Sequence, residues 1–158
     1  MGLDVLARID IARPPETVAA YEFDPGNDPT WIGGVRTAEL LSPGDFGVGS
    51  RVRRIGSFLG RPIEWVMDVT DVVPARRLAM HAVRSPFPMD VTYELAPADG
   101  GTHATVRIQA QAGGMYGLLG PLTPLMVRRS VQADLVRLKR ALESDRPPLR
   151  GRGRPGSS

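Results

Sequence analysis

The sequence predicts an α+β domain in which a seven-stranded antiparallel sheet wraps around a long C-terminal helix, with two short helices after the first strand. Three observations carry this. Successive segments alternate apolar and polar residues with period 2. Turn sequences at hairpin spacing separate the later ones. After Gly113 and Gly114 the period changes to 3.6.

The first strand is "LDVLARIDIA", with Leu3, Val5, Ala7, Ile9 and Ile11 on one face and Asp4, Arg8 and Asp10 on the other. "RPPETVAAYEF" then reads as a helix. Pro15 suits its first turn, Glu16 suits the positive end of its dipole, and Val18, Ala19 and Phe23 are spaced to pack inward. "DPGNDPTWIGG" breaks that helix and leaves room for a short second one over 28–32. Strands follow in "VRTAELL", "SRVRRIGSFL", "IEWVMDVTDVV", "RRLAMHAV", "MDVTYELAP" and "THATVRIQAQA", joined by turns such as Gly60–Pro62 and "ADGG". From Pro124 onward Val131, Leu135, Leu138 and Leu142 recur at helical spacing, with Arg137, Lys139 and Arg140 off that stripe. Pro121 and Pro124 predict that "MYGLLGPLTP" before it is kinked or loosely helical. A bent sheet on one helix leaves a cavity between its concave face and the helix.

At 158 residues, 42% hydrophobic and 23% charged, the chain suits a single domain over 1–144. It has no cysteine, which excludes disulfides, thiolate metal sites and cysteine nucleophiles. The formal net charge of +3 lies wholly in residues 145–158, "DRPPLRGRGRPGSS", where four arginines face Asp145. The remainder holds as many acids as bases, so the basic pI is no argument for a specific nucleic-acid partner. A Pro/Gly/Arg tail of this kind is expected to be disordered. No apolar run reaches the length of a membrane span. The opening "MGLDVLARIDIA" carries an acid at once, and Leu6 stands where myristoylation needs Ser or Thr. A cytoplasmic monomer or weak homodimer, without membrane insertion, is the expectation.

The pattern resembles the polyketide cyclase/dehydrase-like members of the START-related (SRPBCC) superfamily. The residues that carry the resemblance are "ARIDIARPPETVAAYEFDPGNDPTWIGGV", "GDFGVGSRVRR", "DVVPARRLAMHAV", "FPMDVTYELAPADGGTHATVRI" and "ADLVRLKRALE". The likeness runs from about residue 3 to 144, and Trp31, Gly49, the "VVPARRLA" turn and "ADGGT" are its structural marks. It implies a helix-grip fold with a deep cavity for a hydrophobic small molecule. Members include aromatase/cyclases, lipid and hormone carriers, self-resistance proteins and chaperone cofactors, so fold alone does not choose a function. Binding of a polyketide-like, aromatic or acyl molecule is the leading expectation. An aromatase/cyclase or dehydrase is the alternative, and a protein-interaction or self-resistance module a third.

Strand parity selects the candidate cavity residues. "IEWVMDV" puts Ile63, Trp65, Met67 and Val69 opposite Glu64 and Asp68. With Phe58, Met80, Met89, Val91 and Tyr93 they form an aromatic, methionine-rich inner surface, either plain core or an adaptable ligand wall. Tyr116 and Met115, and the loop residues Trp31 and Phe46, are placed at the cavity mouth. Two arginines join this set. Val52 faces the core, so Arg54 on the same strand face does too, beside the small Gly56. Arg128 precedes Val131 by three residues. Each either snorkels or pairs with an acid such as Glu39 or Asp71, or else meets a ligand's anionic end. In a cyclase Arg54 would stabilise an enolate, with Tyr93 as proton donor. His81 completes the catalytic candidates, although its alternation also fits the outer face, as does that of His103. Two isolated histidines predict no metal site, and no cofactor is expected.

Overall fold

The computed structural model describes residues 2–58, 60–85, 88–111 and 124–144, without the side chains of 2, 58 and 111. Strand β1 (Gly2–Ile11) leads into helix α1 (Pro15–Glu22), a 3-10 turn (Pro25–Asn27) and a single helical turn α2 (Asp28–Trp31). Six strands follow: β2 (Val35–Leu40), β3 (Arg51–Phe58), β4 (Arg61–Val73), β5 (Arg77–Arg84), β6 (Met89–Ala98) and β7 (Gly101–Gln111). Helix α3 (Pro124–Glu143) is the last described element. The expected kink before it and the tail 145–158 lie outside the described residues.

All seven strands form one antiparallel sheet in the order β1-β7-β6-β5-β4-β3-β2. The hairpins put β2 to β7 side by side, and β1 returns to pair with β7, from Leu3 opposite Ala110 to Ile11 opposite Thr102. Register shifts interrupt β4 against β5 between Val66 and Met67 and between Val69 and Asp71. Extra residues of this kind bend a strand, and here they curl the sheet toward α3. Val66 is also buried, but on the opposite face from Met67 and Val69: it pairs with Arg53, while Met67 pairs with the inward-facing Val52.

The apolar stripe of α3 fills the concave side: Val131, Leu135, Leu138 and Leu142 are buried. Polar contacts tie the helix to β1. Gln132 Nε2 donates to the Arg8 carbonyl, Lys139 Nζ to the Asp10 carbonyl, and Glu143 accepts from the Ala12 amide at 2.6 Å. On the convex face, charges pair across strands, as in Arg107 with Asp4 and Arg51 with Asp68.

Gly56 has a different role from the one its size suggested. It does not leave room beside Arg54: a Cβ built there would stand 1.7 Å from the Gly34 carbonyl oxygen, because the chain entering β2 crosses β3 at that point. Gly56→Ala is therefore expected to destabilise by about 2–3 kcal/mol or more, the scale of forced overpacking. Urea unfolding would measure it, and a loss under about 0.5 kcal/mol would show that this crossing is loose.

Candidate functional site

Between the sheet and α3 lies a cavity of about 160 Å³. Its wall is mostly apolar, with Ile63, Trp65, Met89, Val91 and Ile108 from the sheet and Val127 and Val131 from α3. Its polar groups include Arg54, Tyr93 and Asp134. Trp31 and Ile32, at the end of α2, also face it.

Arg54 is buried to 8% exposure on the same strand face as Val52, the side parity assigned. Its partner is Asp28, neither Glu39 nor Asp71. Nε donates to Asp28 Oδ2 at 2.8 Å, and Nη2 donates to the Tyr93 hydroxyl at 3.2 Å. Glu39 lies near Arg53 instead, and Asp71 pairs with Arg77. Burial opposes the guanidinium's charge, but Asp28 and Tyr93 beside it more than offset this and hold its pKa above the ordinary value. Burial holds the Asp28 carboxyl above its ordinary value, and Arg54 offsets this only in part. A guanidinium does not give up its proton in a protein, so the two form a closed ion pair.

The α1–α2 segment holds Asp28 in place. Asp24 Oδ1 accepts from the Gly26 amide and forms the turn, Asn27 Nδ2 donates to the Tyr21 carbonyl, and Tyr21 Oη bonds Thr30 Oγ1 at 2.6 Å. A second acid sits nearby. Glu22 is completely buried, and neither carboxylate oxygen has a hydrogen-bond partner among the described residues. Burial first, and the negative charge of Asp28 second, push its pKa up to about 8, so it is neutral at pH 7. Tyr93 stands between this acid and the cavity, with its ring against Phe23 and Trp31. Burial raises the Tyr93 pKa, with Asp28 and Glu22 adding to it against Arg54. Asp134, on α3, accepts from the Gly33 amide at 2.9 Å and from Arg137.

Residues 3–143 match the family described as polyketide cyclase/dehydrase and lipid transport. The chain belongs to this family. The polyketide cyclase/dehydrase and lipid transport family's fold recurs in solved structures that are similar to it. The Zhui aromatase/cyclase from Streptomyces sp. R1128 is 22% identical, with a TM-score of 0.63 over 90% of this chain and 92% of that one. A START superfamily protein from Mycobacterium smegmatis is 17% identical, with a TM-score of 0.67 over 89% and 94%. A protein from Thermus thermophilus is 20% identical, with a TM-score of 0.74 over 88% and 96%. At such identities the likeness establishes the helix-grip fold. The comparison with curated proteins found no match.

Of the sequence candidates, Arg54, Trp65, Met89, Val91 and Tyr93 line the cavity. Met67 and Met80 do not: both are packed solidly in the core. Arg128 is exposed, because a position three before Val131 falls off the buried stripe here. His81 lies on the convex face with Nδ1 2.8 Å from Asp90, away from the cavity, which removes it as a catalytic candidate there. His103 pairs likewise with Asp10 across β1 and β7. Both histidines thus have a carboxylate neighbour, nine residues away for His81 and 93 for His103. The Phe58 side chain, Met115 and Tyr116 fall outside the described residues. Trp31 is a fully packed wall residue rather than a loop at the mouth, and Phe46 packs on the core. Sequence reasoning missed Glu22, Asp28 and Asp134. The signal for Glu22 was present, since it follows the inward-facing Val18 by one helical turn. Asp134 sits between Val131 and Leu135 on the stripe of α3 for the same reason.

Among the described residues, no three His, Cys, Asp or Glu side chains are grouped to hold a metal ion. No helix among them is long and apolar enough to cross a membrane.

Proposed function

We propose that the chain binds a hydrophobic polyketide-like, aromatic or acyl small molecule in this cavity. The observation that carries the reading is the cavity itself, an apolar void with polar groups in its wall. A cavity of about 150 Å³ in an apolar core stays dry and accepts benzene. The 160 Å³ found here suits one ring of such a ligand, or the end of an acyl chain. Family membership supports the same reading, because the family description covers both catalysis and lipid transport.

The enzymatic alternative rests on Arg54 and Tyr93, which stand together in the cavity wall. A general acid works best with a pKa near the working pH. The Tyr93 hydroxyl is moved upward from its ordinary value, away from that range. This favours a hydroxyl that holds its proton and binds over one that transfers it.

Trp31 and Trp65 are the chain's two tryptophans, and both line the cavity. Aromatic or acyl ligands are therefore expected to quench the intrinsic fluorescence in the micromolar range. Trp65→Phe should retain binding while reducing the amplitude. If a panel of aromatic and acyl ligands changes neither fluorescence nor melting temperature at millimolar concentration, the binding reading is wrong.

A further inference from the structure

Within the binding reading proposed above, we infer that the cavity selects an uncharged ligand bearing a hydrogen-bond acceptor, an aryl ketone rather than an aryl carboxylate. The argument is an inventory of donors and charges. Arg54 has donors and no acceptor, so in its contact with Tyr93 the phenolic oxygen accepts. The Tyr93 proton is left over, on a residue 3% exposed that lines the cavity, and no acceptor for it appears among the described residues. Trp31 adds a second donor to the same wall: it is 2% exposed, and its Nε1 has no hydrogen-bond partner among the described residues. Asp134, an acceptor in the wall, takes the Gly33 amide and Arg137 on one oxygen, Oδ1. Ser57 and Ser130 also line the cavity, but only Tyr93 and Trp31 bring buried donors that lack an acceptor among the described residues. A buried donor left unmatched is costly, and a carbonyl oxygen would satisfy it.

Charge excludes the more obvious occupant. The guanidinium invites a carboxylate, but its charge is already neutralised by Asp28 at 2.8 Å. Asp134 is likewise paired with Arg137, so the described wall carries no net positive charge. An anion entering an apolar void without an uncompensated cation loses its hydration for no equivalent return. A ketone needs only the hydrogen bond.

The test compares three molecules of one shape class: acetophenone, ethylbenzene and benzoate. Binding is followed at pH 7 by two-dimensional NMR of the tryptophan indole signals, and by the carbonyl ¹³C shift of labelled acetophenone. Acetophenone is expected to bind about tenfold tighter than ethylbenzene, the scale of satisfying one buried donor. Benzoate should be at least about a hundredfold weaker than acetophenone, and the carbonyl signal should move downfield on binding. Tyr93→Phe, which keeps the ring, should move the carbonyl signal of bound acetophenone, because its donor is then Arg54 Nη2, released from Tyr93, or Trp31 Nε1; an unchanged signal would overturn the role of Tyr93. Equal affinities in the wild-type protein, or benzoate binding tightest, would overturn this inference while leaving the cavity reading intact. Failure of all three to bind would overturn both. The wild-type comparison stands even if Tyr93→Phe does not fold.

Discussion

Replacing Arg54 with methionine is expected to lower stability by about 3–5 kcal/mol, the cost of removing one partner from a buried ion pair. Methionine keeps much of the stem but leaves Asp28, 1% exposed, without its cation, and leaves the Tyr93 oxygen without its donor. The effect should appear in urea unfolding at pH 7. Adding Asp28→Asn to Arg54→Met should recover part of the loss, because the unpaired charge goes with it. A single variant within about 1 kcal/mol of wild type would mean that Asp28 finds another partner or takes up a proton at little cost.

The second large effect is a dependence on pH set by Glu22. Its carboxyl has an ordinary value of 4.5 and is raised to about 8 in the folded protein. The folded state thus holds this proton more tightly than the unfolded chain does. The stabilisation is fully present below pH 4.5, declines by about 1.4 kcal/mol per pH unit as pH rises, and is gone above about 8. Between pH 5 and 9 the loss is on the order of 4 kcal/mol. Glu22→Gln has no proton to lose. The wild-type protein should therefore lose markedly more stability than the variant over this interval, while titrating groups not coupled to Glu22 cancel in the difference. Parallel pH profiles for the two proteins would show that Glu22 is hydrated or paired in solution.

These two groups also mark where sequence reasoning reached and where it stopped. Alternation decides which face of a strand is inward, and for Val52, Arg54 and Gly56 it decided correctly. The same parity could not separate Met67 and Met80 from Met89, because facing inward does not say which row of the sheet lies over a void and which over packed core. That depends on how far the irregularities between β4 and β5 curl the sheet, a property of strand pairing absent from any local pattern. The spacing of Val131, Leu135, Leu138 and Leu142 predicted the buried stripe of α3, yet Arg128 was carried inward with it by extrapolating beyond the stripe's end. The two acids escape a sequence reading for a different reason. Glu22 and Asp28 are charged residues in a helix and a turn, where exposure is the rule. Only the three-dimensional arrangement shows that the segment folds them inward, Asp28 against an arginine 26 residues further on and Glu22 without a hydrogen-bond partner among the described residues.

The pairing of β1 with β7 has a consequence for biosynthesis. Residue 2 lies opposite residue 111, so the first of these seven strands to be synthesised is among the last of them to find its neighbour. At about 5–20 residues per second, β1 waits roughly 5–20 seconds for β7 to be made. During that wait its apolar face and its backbone donors and acceptors are open to the strands of other nascent chains. Once β7 and α3 have been synthesised, one docking step covers that face and walls off the cavity. A domain built in this order gains its hydrophobic cavity only once its last strand and helix have been made, and a chain halted before β7 would have an unsatisfied strand and no such place for a ligand.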